Sequence, residues 1–418
     1  MTAGAGRADA VPAVAGSGVR SRGPFRRVAA VLGITAFGAG IPTPLYSVYE
    51  AEFHFGAEAL AVVFGAYTVG VLTTMFFVAP MSDAIGRKPV LYAGMGLTAL
   101  SGAIFLVANG VVLLAVARIV SGLAVGATTS TATAAMAILE PRQDQHHVAR
   151  VSVAANFGGV GSGVLLSGFL VEYAPQPTAL VFWVLIVVSA LGAVALVRSP
   201  ETVPLAERRG PIVRQRLQVP ASIRVPFGIA TLGLAACYSI YGFFGALAPT
   251  FVRVGLGLPG AAETGAIVAT MFGFAAIAQL ALAEVRDRAA LLIGFPLLIA
   301  ALAAFILSLL FAALPLLLGG AAFLGLSIGF TFMGSVTLID RVAPEAHRGE
   351  VLSAFYIVGY LSLALPTVGI AFASTAIGLG SAAAAFGLTL GLFVAGGYAV
   401  TLRTPTPPGG EGRPRDAS

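Results

Sequence analysis

The sequence contains few charged residues for its length, and this scarcity distinguishes a membrane protein from a soluble one. Of its 418 residues, 10% are charged and 58% are hydrophobic, whereas soluble domains carry about 25% charged residues. A soluble chain of this length would divide into about two or three domains joined by polar loops. Polar sequence is confined here to the two ends and a few short interruptions, so the composition predicts a membrane protein.

Cysteine, lysine and clusters of metal-binding residues are also scarce. Cys237 is the single cysteine and lies inside an apolar run, so the chain can form no internal disulfide and the thiol is expected to be a packing residue. Lys88 is the single lysine, and the other 23 basic residues are arginines spread through short segments, which argues against a nucleic-acid partner. His146 and His147 have no other ligand residues spaced around them. We therefore predict no metal and no cofactor.

The sequence contains twelve apolar runs of about 20 residues, the length needed to cross a bilayer as a helix. Backbone groups in lipid must be paired within the segment, and these runs are too long and lack the alternating polarity of barrel strands. The predicted spans cover residues 27–49, 58–79, 89–108, 111–138, 148–172, 177–198, 226–251, 263–283, 289–310, 312–338, 350–373 and 379–401. The predicted fold class is all-α, a polytopic membrane protein with 12 transmembrane helices.

The arginines predict the orientation of these spans. If the N-terminus is cytoplasmic, 22 of the 24 basic residues fall in inside segments, as positive residues do in membrane proteins. Of the other two, Arg253 falls outside and Arg118 falls within a span. We expect a multi-pass protein of the plasma membrane with both termini in the cytoplasm, and we expect residues 1–24 and 403–418 to be disordered tails.

The longest polar stretch inside the chain, residues 199–225, is expected to be a cytoplasmic linker. It separates two six-helix bundles, residues 25–198 and 226–402. The halves resemble each other, because the fourth span ends with Glu140 and the tenth ends 200 positions later with Asp340. Such a parallel repeat indicates two pseudo-symmetric bundles with a shared cavity between them.

The loop between the second and third spans reads A-P-M-S-D-A-I-G-R-K over residues 79–88. It resembles the signature G-x-x-x-D-[RK]-x-G-[RK]-[RK] of the major facilitator superfamily of secondary transporters. The matching positions are Asp83, Gly86, Arg87 and Lys88, and the departures are Ala79 and Ala84. The resemblance implies the major facilitator fold and transport by alternating access between its two bundles.

The same resemblance implies roles for the loop residues. In the family the aspartate lies against the start of helix eleven, and the base four residues on reaches an acid at the inner end of helix four. Carried over, Asp83 approaches Glu350, Arg87 pairs with Glu140, and Gly86 permits the tight turn. These contacts would form an inner latch that breaks when the cytoplasmic side opens. The alternative is that the charges only fix the topology.

Arg118 is the one ionisable residue that falls well inside a predicted span, where a charge costs about 2.5 to 3.5 kcal/mol. The sequence A-R-I-V-S-G over residues 117–122 resembles a second superfamily signature, R-x-x-[SQ]-G, whose arginine is linked to proton coupling or to helix packing. The alternative is a structural arginine bonded to carbonyl groups.

Small residues predict close helix contacts in the fourth and fifth spans. The fifth span, over residues 159–168, resembles the exporter signature G-x-x-x-G-P-x-x-G-G. Val164 replaces its proline and Ser167 one glycine, so the kink is missing and the support for export is weak. The predicted packing seam consists of Gly122, Gly126, Gly159, Gly163 and Gly168.

Helices one, four, seven and ten face the cavity in this family. The resemblance therefore adds candidate cavity residues to Arg118, namely Tyr46, Tyr238, Tyr241 and Thr331. No acid falls in the middle of a predicted span. A proton carrier would have to be a rim carboxylate such as Glu50 or Glu140, or a network around Arg118, and a cavity without negative charge suits polycations poorly.

The leading hypothesis is a monomeric secondary transporter in the lipid bilayer that moves a small amphipathic or anionic molecule, with efflux by proton antiport and the proton gradient as energy source. One alternative is an uptake symporter or facilitator for a sugar or organic acid. Another is a membrane ligand sensor without transport. An enzyme is not expected, because no nucleophile, metal cluster or carboxylate pair falls at membrane depth.

Overall fold

The structure, a computed structural model, is helical throughout the residues that it describes. These are residues 22–77, 82, 84–203, 219–255, 261–281, 287–311, 314–344 and 347–404. Within these ranges the helices are joined by short turns and no strand occurs. Twelve segments of the described chain are long and apolar enough to cross a membrane, which confirms the all-α fold class and the predicted number of spans.

We number the spans 1 to 12 in chain order. Span 1 consists of two helices, Arg22–Gly40 and Pro42–Phe53. Spans 2 to 6 are Ala57–Phe77, Arg87–Leu106, Val111–Leu139, Gln145–Tyr173 and Pro177–Val197. A 3-10 turn at Ala221–Ile223 precedes spans 7 to 12, which are Arg224–Gly255, Ala261–Ala281, Asp287–Phe311, Leu314–Val342, Arg348–Ile377 and Leu379–Arg403. Most of the predicted tails and residues 204–218 of the predicted linker lie outside the described residues.

Span 1 is broken where its sequence reads I-P-T-P. Ile41 forms the turn, and Pro42 occupies the first position of the second helix. Proline is well placed there because the first amides of a helix have no partner within it. The carbonyl groups in the last turn of the first helix likewise lose helical partners. One of them, that of Ala39, becomes an acceptor for Arg118.

The two halves of the chain pack by the same pattern. In the first half, span 1 packs on spans 4, 5 and 6, span 2 packs on span 4, and span 3 packs on spans 4 and 6. In the second half, span 7 packs on spans 10, 11 and 12, span 8 on span 10, and span 9 on spans 10 and 12. Each pair in one half has its counterpart six spans later, as a parallel repeat requires.

The ends of the spans define two faces of the molecule. Arg27 near the start of span 1 donates to the carbonyl of Arg198 just after span 6. Arg288 near the start of span 9 donates to the carbonyl of Thr401 near the end of span 12, at 3.2 Å. The starts of the odd spans and the ends of the even spans therefore share one face, which we call the terminal face. The other is the opposite face.

The halves meet mainly through span 5 on span 8 and span 2 on span 11. At the opposite face the second helix of span 1 also packs on spans 7 and 8. The bundle exterior is apolar, as lipid contact requires. Span 6 shows this clearly, because Trp183, Val187, Leu191 and Val194 are 55 to 66% exposed along one stripe.

Candidate functional site

Three side chains that carry charge at neutral pH are buried among the described residues. Arg118 is 2% exposed, Glu140 is 4% exposed and Glu50 is 9% exposed. Burial of a charge is costly unless partners compensate it. These three positions, together with the rings between the two halves, form the candidate site.

Arg118 lies between spans 1, 2 and 4 in the first half. Its Nη1 donates to the carbonyl of Ala39 at 3.1 Å. The guanidinium carbon lies 4.5 Å from the ring centroid of Tyr67 and 5.2 Å from that of Phe64, and both distances suit a cation–π contact. Within the described part of the chain no carboxylate lies within salt-bridge distance of this cation, and its Nε has no hydrogen-bond partner.

The glycines of span 4 hold that helix against span 2 beside Arg118. A Cβ atom at Gly122 would lie 2.1 Å from the carbonyl oxygen of Tyr67, and one at Gly70 would lie 2.1 Å from that of Ile119. A Cβ at Gly126 would lie 2.8 Å from the Cβ of Thr74. Only glycine permits this approach of two backbones, so the same contact that joins the helices fixes the position of the Tyr67 ring.

The glycines of span 5 allow close contact with two neighbouring helices, spans 1 and 8. A Cβ at Gly159 would lie 2.4 Å from the carbonyl oxygen of Gly33, and one at Gly163 would lie 2.2 Å from that of Phe37, both in span 1. At Gly168 the nearest atom, 2.6 Å away, is the carbonyl oxygen of Ala261 in span 8 of the other half. Span 5 therefore packs within its own bundle and across the boundary between the halves.

An aromatic layer joins the halves near mid-depth. Phe157 of span 5 contacts Tyr241 of span 7, Phe272 of span 8 and Phe332 of span 10, with ring centroids 5.6, 6.2 and 5.5 Å apart. Tyr241 and Phe272 are stacked at 5.0 Å. These distances are in the range of favourable aromatic pairs. The first half thus contributes one ring that is inserted among three rings of the second half.

The predicted cavity residues occupy different surroundings. Tyr238 continues the aromatic layer, 5.8 Å from Tyr241 and 5.1 Å from Tyr360 of span 11. Tyr46 is fully buried in the second helix of span 1, and its hydroxyl has no hydrogen-bond partner among the described residues. Thr331 is also fully buried, and its Oγ1 faces Gly294 of span 9 inside the second bundle.

Two carboxylates connect the halves at the opposite face. Glu50 at the end of span 1 accepts a hydrogen bond from the hydroxyl of Thr250 in span 7, with the nearer oxygen at 3.2 Å. Glu172 at the end of span 5 accepts from the backbone amide of Ala262 at 2.9 Å. A carboxylate is favourable at that point because the start of a helix, here span 8, has free amides and a positive dipole end.

At the terminal face, the described residues of the motif loop contact the chain after span 6. The carboxylate of Glu201 accepts from the backbone amides of Arg87 at 3.0 Å and Lys88 at 3.1 Å, so it caps span 3. The Nζ of Lys88 donates to the carbonyl of Val197 at 3.0 Å. Gly86 before the helix has a φ of 103°, which favours glycine. Asp83 lies outside the described residues, and its contact with span 11 stays a prediction.

The other predicted latch residues have partners other than those predicted. Arg87 donates from its guanidinium to the carbonyl of Ala134 in span 4, at 3.0 Å. Glu140 accepts from the backbone amide of Asp144 at 3.1 Å. Glu350 lies 3.1 Å from Nδ1 of His347 at the start of span 11. The pairing of Arg87 with Glu140 stays a prediction for another conformation of the transporter, in which the contacts at the terminal face are rearranged.

Three features of the site were not predicted from the sequence. Glu201 lies in the linker. Its position directly after a proline that follows span 6 is the sequence feature that could have indicated it. Phe157 was one of 27 phenylalanines without a distinguishing pattern. The third feature is a second glycine seam in span 10, where a Cβ at Gly325 would lie 2.2 Å from the carbonyl oxygen of Met271 in span 8. The repeated sequences G-L-A-V-G at 122–126 and G-L-S-I-G at 325–329 could have revealed it.

Replacing Glu201 with glutamine is expected to lower stability at neutral pH by about 1 kcal/mol. Burial opposes ionisation of this carboxyl, but hydrogen bonds from four backbone amides outweigh that effect and hold its pKa below its usual value. Charge-assisted hydrogen bonds contribute about 1.5 to 3 kcal/mol, which solvent exposure reduces here. Thermal unfolding of the purified protein in detergent at pH 7 measures the loss.

The pH dependence of this effect has a definite sign. Because the pKa is lowered on folding, the contribution is present above the usual value of 4.5 and is lost as the pH falls through the folded value. Wild type and Glu201→Gln should therefore converge in acid. Glu52→Gln, at an exposed position, is the matched control and should have no effect. A Glu201→Gln loss that is equally large in acid would contradict the capping role.

Among the described residues, no group of three histidine, cysteine or acidic side chains is placed to hold a metal ion. His147 instead stacks on Phe25 with ring centroids 5.4 Å apart. Cys237 is buried.

Comparison with known proteins assigns the chain to a family. The crystal structure of the human organic anion transporter MFSD10 (TETRAN) has the same fold, with a TM-score of 0.68 over 91% of this chain and 99% of that chain and 17% sequence identity. No curated protein sequence matches the chain significantly. The sequence profile of the Major Facilitator Superfamily matches residues 28–367, which is most of the chain. The protein therefore belongs to the Major Facilitator Superfamily and is a secondary transporter.

Proposed function

We propose that the protein exports a small amphipathic or anionic organic molecule by alternating access, in exchange for protons. The observation that carries the proposal is the cation of Arg118, which is buried between three spans without a carboxylate partner among the described residues. Two rings and one carbonyl group compensate this charge only in part. An anionic group of the substrate would complete the compensation, because a charge-assisted hydrogen bond is strong in a buried site.

The apolar rings between the two halves favour an organic rather than an inorganic anion. The aromatic layer of Phe157, Tyr241, Phe272 and Phe332 offers apolar ring surfaces at mid-depth. Buried hydroxyls without described partners, such as those of Tyr46 and Tyr241, can orient a ligand by hydrogen bonds. The description of the structural relative as an organic anion transporter supports the same substrate class.

Alternating access is supported by the position of the contacts between the halves. Glu50 with Thr250 and Glu172 with Ala262 join the halves at the opposite face. Opening this face requires both contacts to break, while the predicted latch of Asp83, Arg87 and Glu140 would then close the terminal face. The two bundles would rock about the aromatic layer, as repeat-based transporters do.

Glu50 is the proposed proton carrier. It is buried at the boundary between the halves, and Thr250 donates to it from the second half. Protonation would remove the negative charge that accepts this hydrogen bond, so the contact between the two spans depends on the protonation state of Glu50. In an exporter this carboxylate would take up its proton from outside when the opposite face opens, which couples proton entry to substrate exit.

The terminal face is proposed to be cytoplasmic, with the protein a monomer in the plasma membrane. Most of the basic residues belong to segments on this face, in agreement with the bias of positive residues toward the cytoplasm.

Counterflow into proteoliposomes tests the substrate class. Vesicles loaded with an unlabelled aromatic carboxylate are expected to take up the labelled compound, whereas a matched aromatic amine should show no protein-dependent uptake. Protein-free liposomes provide the background. Preferential uptake of the amine would overturn the proposal, and binding of the carboxylate without any flux would favour a ligand sensor.

A further inference from the structure

A groove at the terminal face lies outside the proposed transport site. It has a volume of about 500 Å³, opens to the exterior and is lined by Arg27, Val194, Ala195, Val197 and Arg198. It lies between the start of span 1 and the end of span 6 on the outside of the first bundle. Its lining is therefore mostly apolar and includes two arginines.

The two charged residues that line the groove are both basic, and the carboxylate of Glu201 accepts from the Arg87 and Lys88 amides at the start of span 3. Arg27 donates to the carbonyl of Arg198, and Lys88 donates to that of Val197 at 3.0 Å. The end of span 6 attracts these cations because its last carbonyls form the negative end of the helix dipole. Among the described residues, none of the three cations forms a salt bridge. A guanidinium group has five N–H donors, so each arginine retains donors for a second partner.

The apolar wall continues beyond the groove along span 6. Val197 and Val194 are followed toward the middle of the membrane by Leu191 and Val187, and all four side chains are 55 to 66% exposed. This stripe belongs to the lipid-facing exterior of the bundle. The cations therefore lie at the end of an apolar track about three helical turns long. A ligand that matches both parts has an anionic head and a long apolar tail.

We propose that this groove binds an anionic phospholipid. Its phosphate group contacts Arg27 and Arg198, with Lys88 adding to the local positive charge, and its acyl chain lies along the stripe of span 6. Basic pockets between membrane helices recognise anionic headgroups in this way. A soluble phosphate compound would use the arginines but would leave the apolar wall uncovered. The site is independent of the substrate and coupling proposed above.

Native mass spectrometry of the delipidated protein tests the site. Phosphatidylglycerol and phosphatidylcholine with identical acyl chains are titrated into the protein in detergent. We expect at least tenfold tighter binding of phosphatidylglycerol, because two arginines act on its net charge and each contributes about a 5-fold factor. Arg27→Gln and Arg198→Gln are each expected to weaken phosphatidylglycerol binding about 5-fold. Arg142→Gln, which removes an exposed arginine in another loop of the same half, should leave it unchanged.

Three outcomes would overturn the proposal. The first is equal affinity of the wild-type protein for the two lipids, a comparison that tests the site even if a variant fails to fold. The second is an equal loss in Arg142→Gln, which would indicate a general surface potential. The third is displacement of the lipid by inorganic phosphate at equal concentration, which would indicate a phosphate site without a lipid requirement. Retained binding in Arg27→Lys and Arg198→Lys would support the role of charge.

Discussion

Arg118→Gln is expected to reduce transport of an organic anion by about 10- to 100-fold. The substitution removes the only charge buried between spans 1, 2 and 4 in the described structure. A charge-assisted hydrogen bond to a substrate contributes about 1.5 to 3 kcal/mol. The loss should appear in the concentration dependence of uptake as a higher half-saturation value. Initial rates in proteoliposomes with equal amounts of reconstituted protein measure it.

A neutral analogue of the substrate separates recognition from structure. If Arg118 binds the anionic group, transport of an uncharged amide analogue should change less than threefold in Arg118→Gln, and Arg118→Lys should restore part of the anion transport. If Arg118 serves only to join Ala39, Phe64 and Tyr67, anion and amide should decline together. That parallel decline would contradict the proposed substrate contact.

Gly122→Ala is expected to be strongly destabilising for a single methyl addition, with a cost of about 3 kcal/mol. The new Cβ would lie 2.1 Å from the carbonyl oxygen of Tyr67 and 2.9 Å from the amide nitrogen of Val71. Both atoms belong to the backbone of span 2 and cannot rotate away, so spans 2 and 4 must separate. The midpoint of thermal unfolding in detergent, followed by size-exclusion chromatography of heated samples, reports the change.

Gly96→Ala is the matched control for this substitution. Gly96 lies inside span 3, and a methyl group added there would have no atom of a neighbouring residue within 4 Å. Alanine is also the better helix former by about 1 kcal/mol, so this variant should be neutral or slightly stabilising. Gly325→Ala in the other half should resemble Gly122→Ala, because its Cβ would lie 2.2 Å from the carbonyl oxygen of Met271. Wild-type stability of both seam variants would contradict the close packing.

The spans could be predicted from the sequence because lipid imposes a simple rule on the chain. Every span needs about 20 apolar residues and paired backbone groups, so composition alone locates helices such as Pro177–Val197. The break in span 1 follows from its sequence, since Pro42 and Pro44 have no backbone N–H to continue the hydrogen bonds of the first helix. The helix ends were less visible, because span 1 begins at Arg22, inside the predicted tail.

The partners of the predicted site residues could not be read from the sequence in the same way. Glu201 meets the amides of Arg87 and Lys88 across more than 100 positions, and no local pattern encodes that contact. Phe157 owes its position in the aromatic layer to how the halves meet, not to its neighbours in the chain. Arg118 was conspicuous because a charge in lipid is costly, but its two ring partners depend on the approach of spans 2 and 4.

The internal repeat extends from the charged ends of the spans to the glycines at their centres. Gly122 and Gly126 of span 4 pack on span 2, and Gly325 and Gly329 of span 10 pack on span 8 in the same manner. The two pairs are 203 positions apart. Close backbone packing therefore reproduces the repeat at the centre of each bundle, where substitution is hardest to accommodate.

Substrate flux under an imposed pH gradient tests proton-coupled export most directly. Proteoliposomes are prepared with an acidic or an alkaline interior, the membrane potential is clamped with potassium and valinomycin, and protein-free liposomes correct for passive partition of a weak acid. We predict that a labelled organic anion accumulates when the interior is acidic and that its flux reverses when the gradient is reversed. Accumulation with the alkaline interior, or flux indifferent to the gradient, would contradict proton antiport.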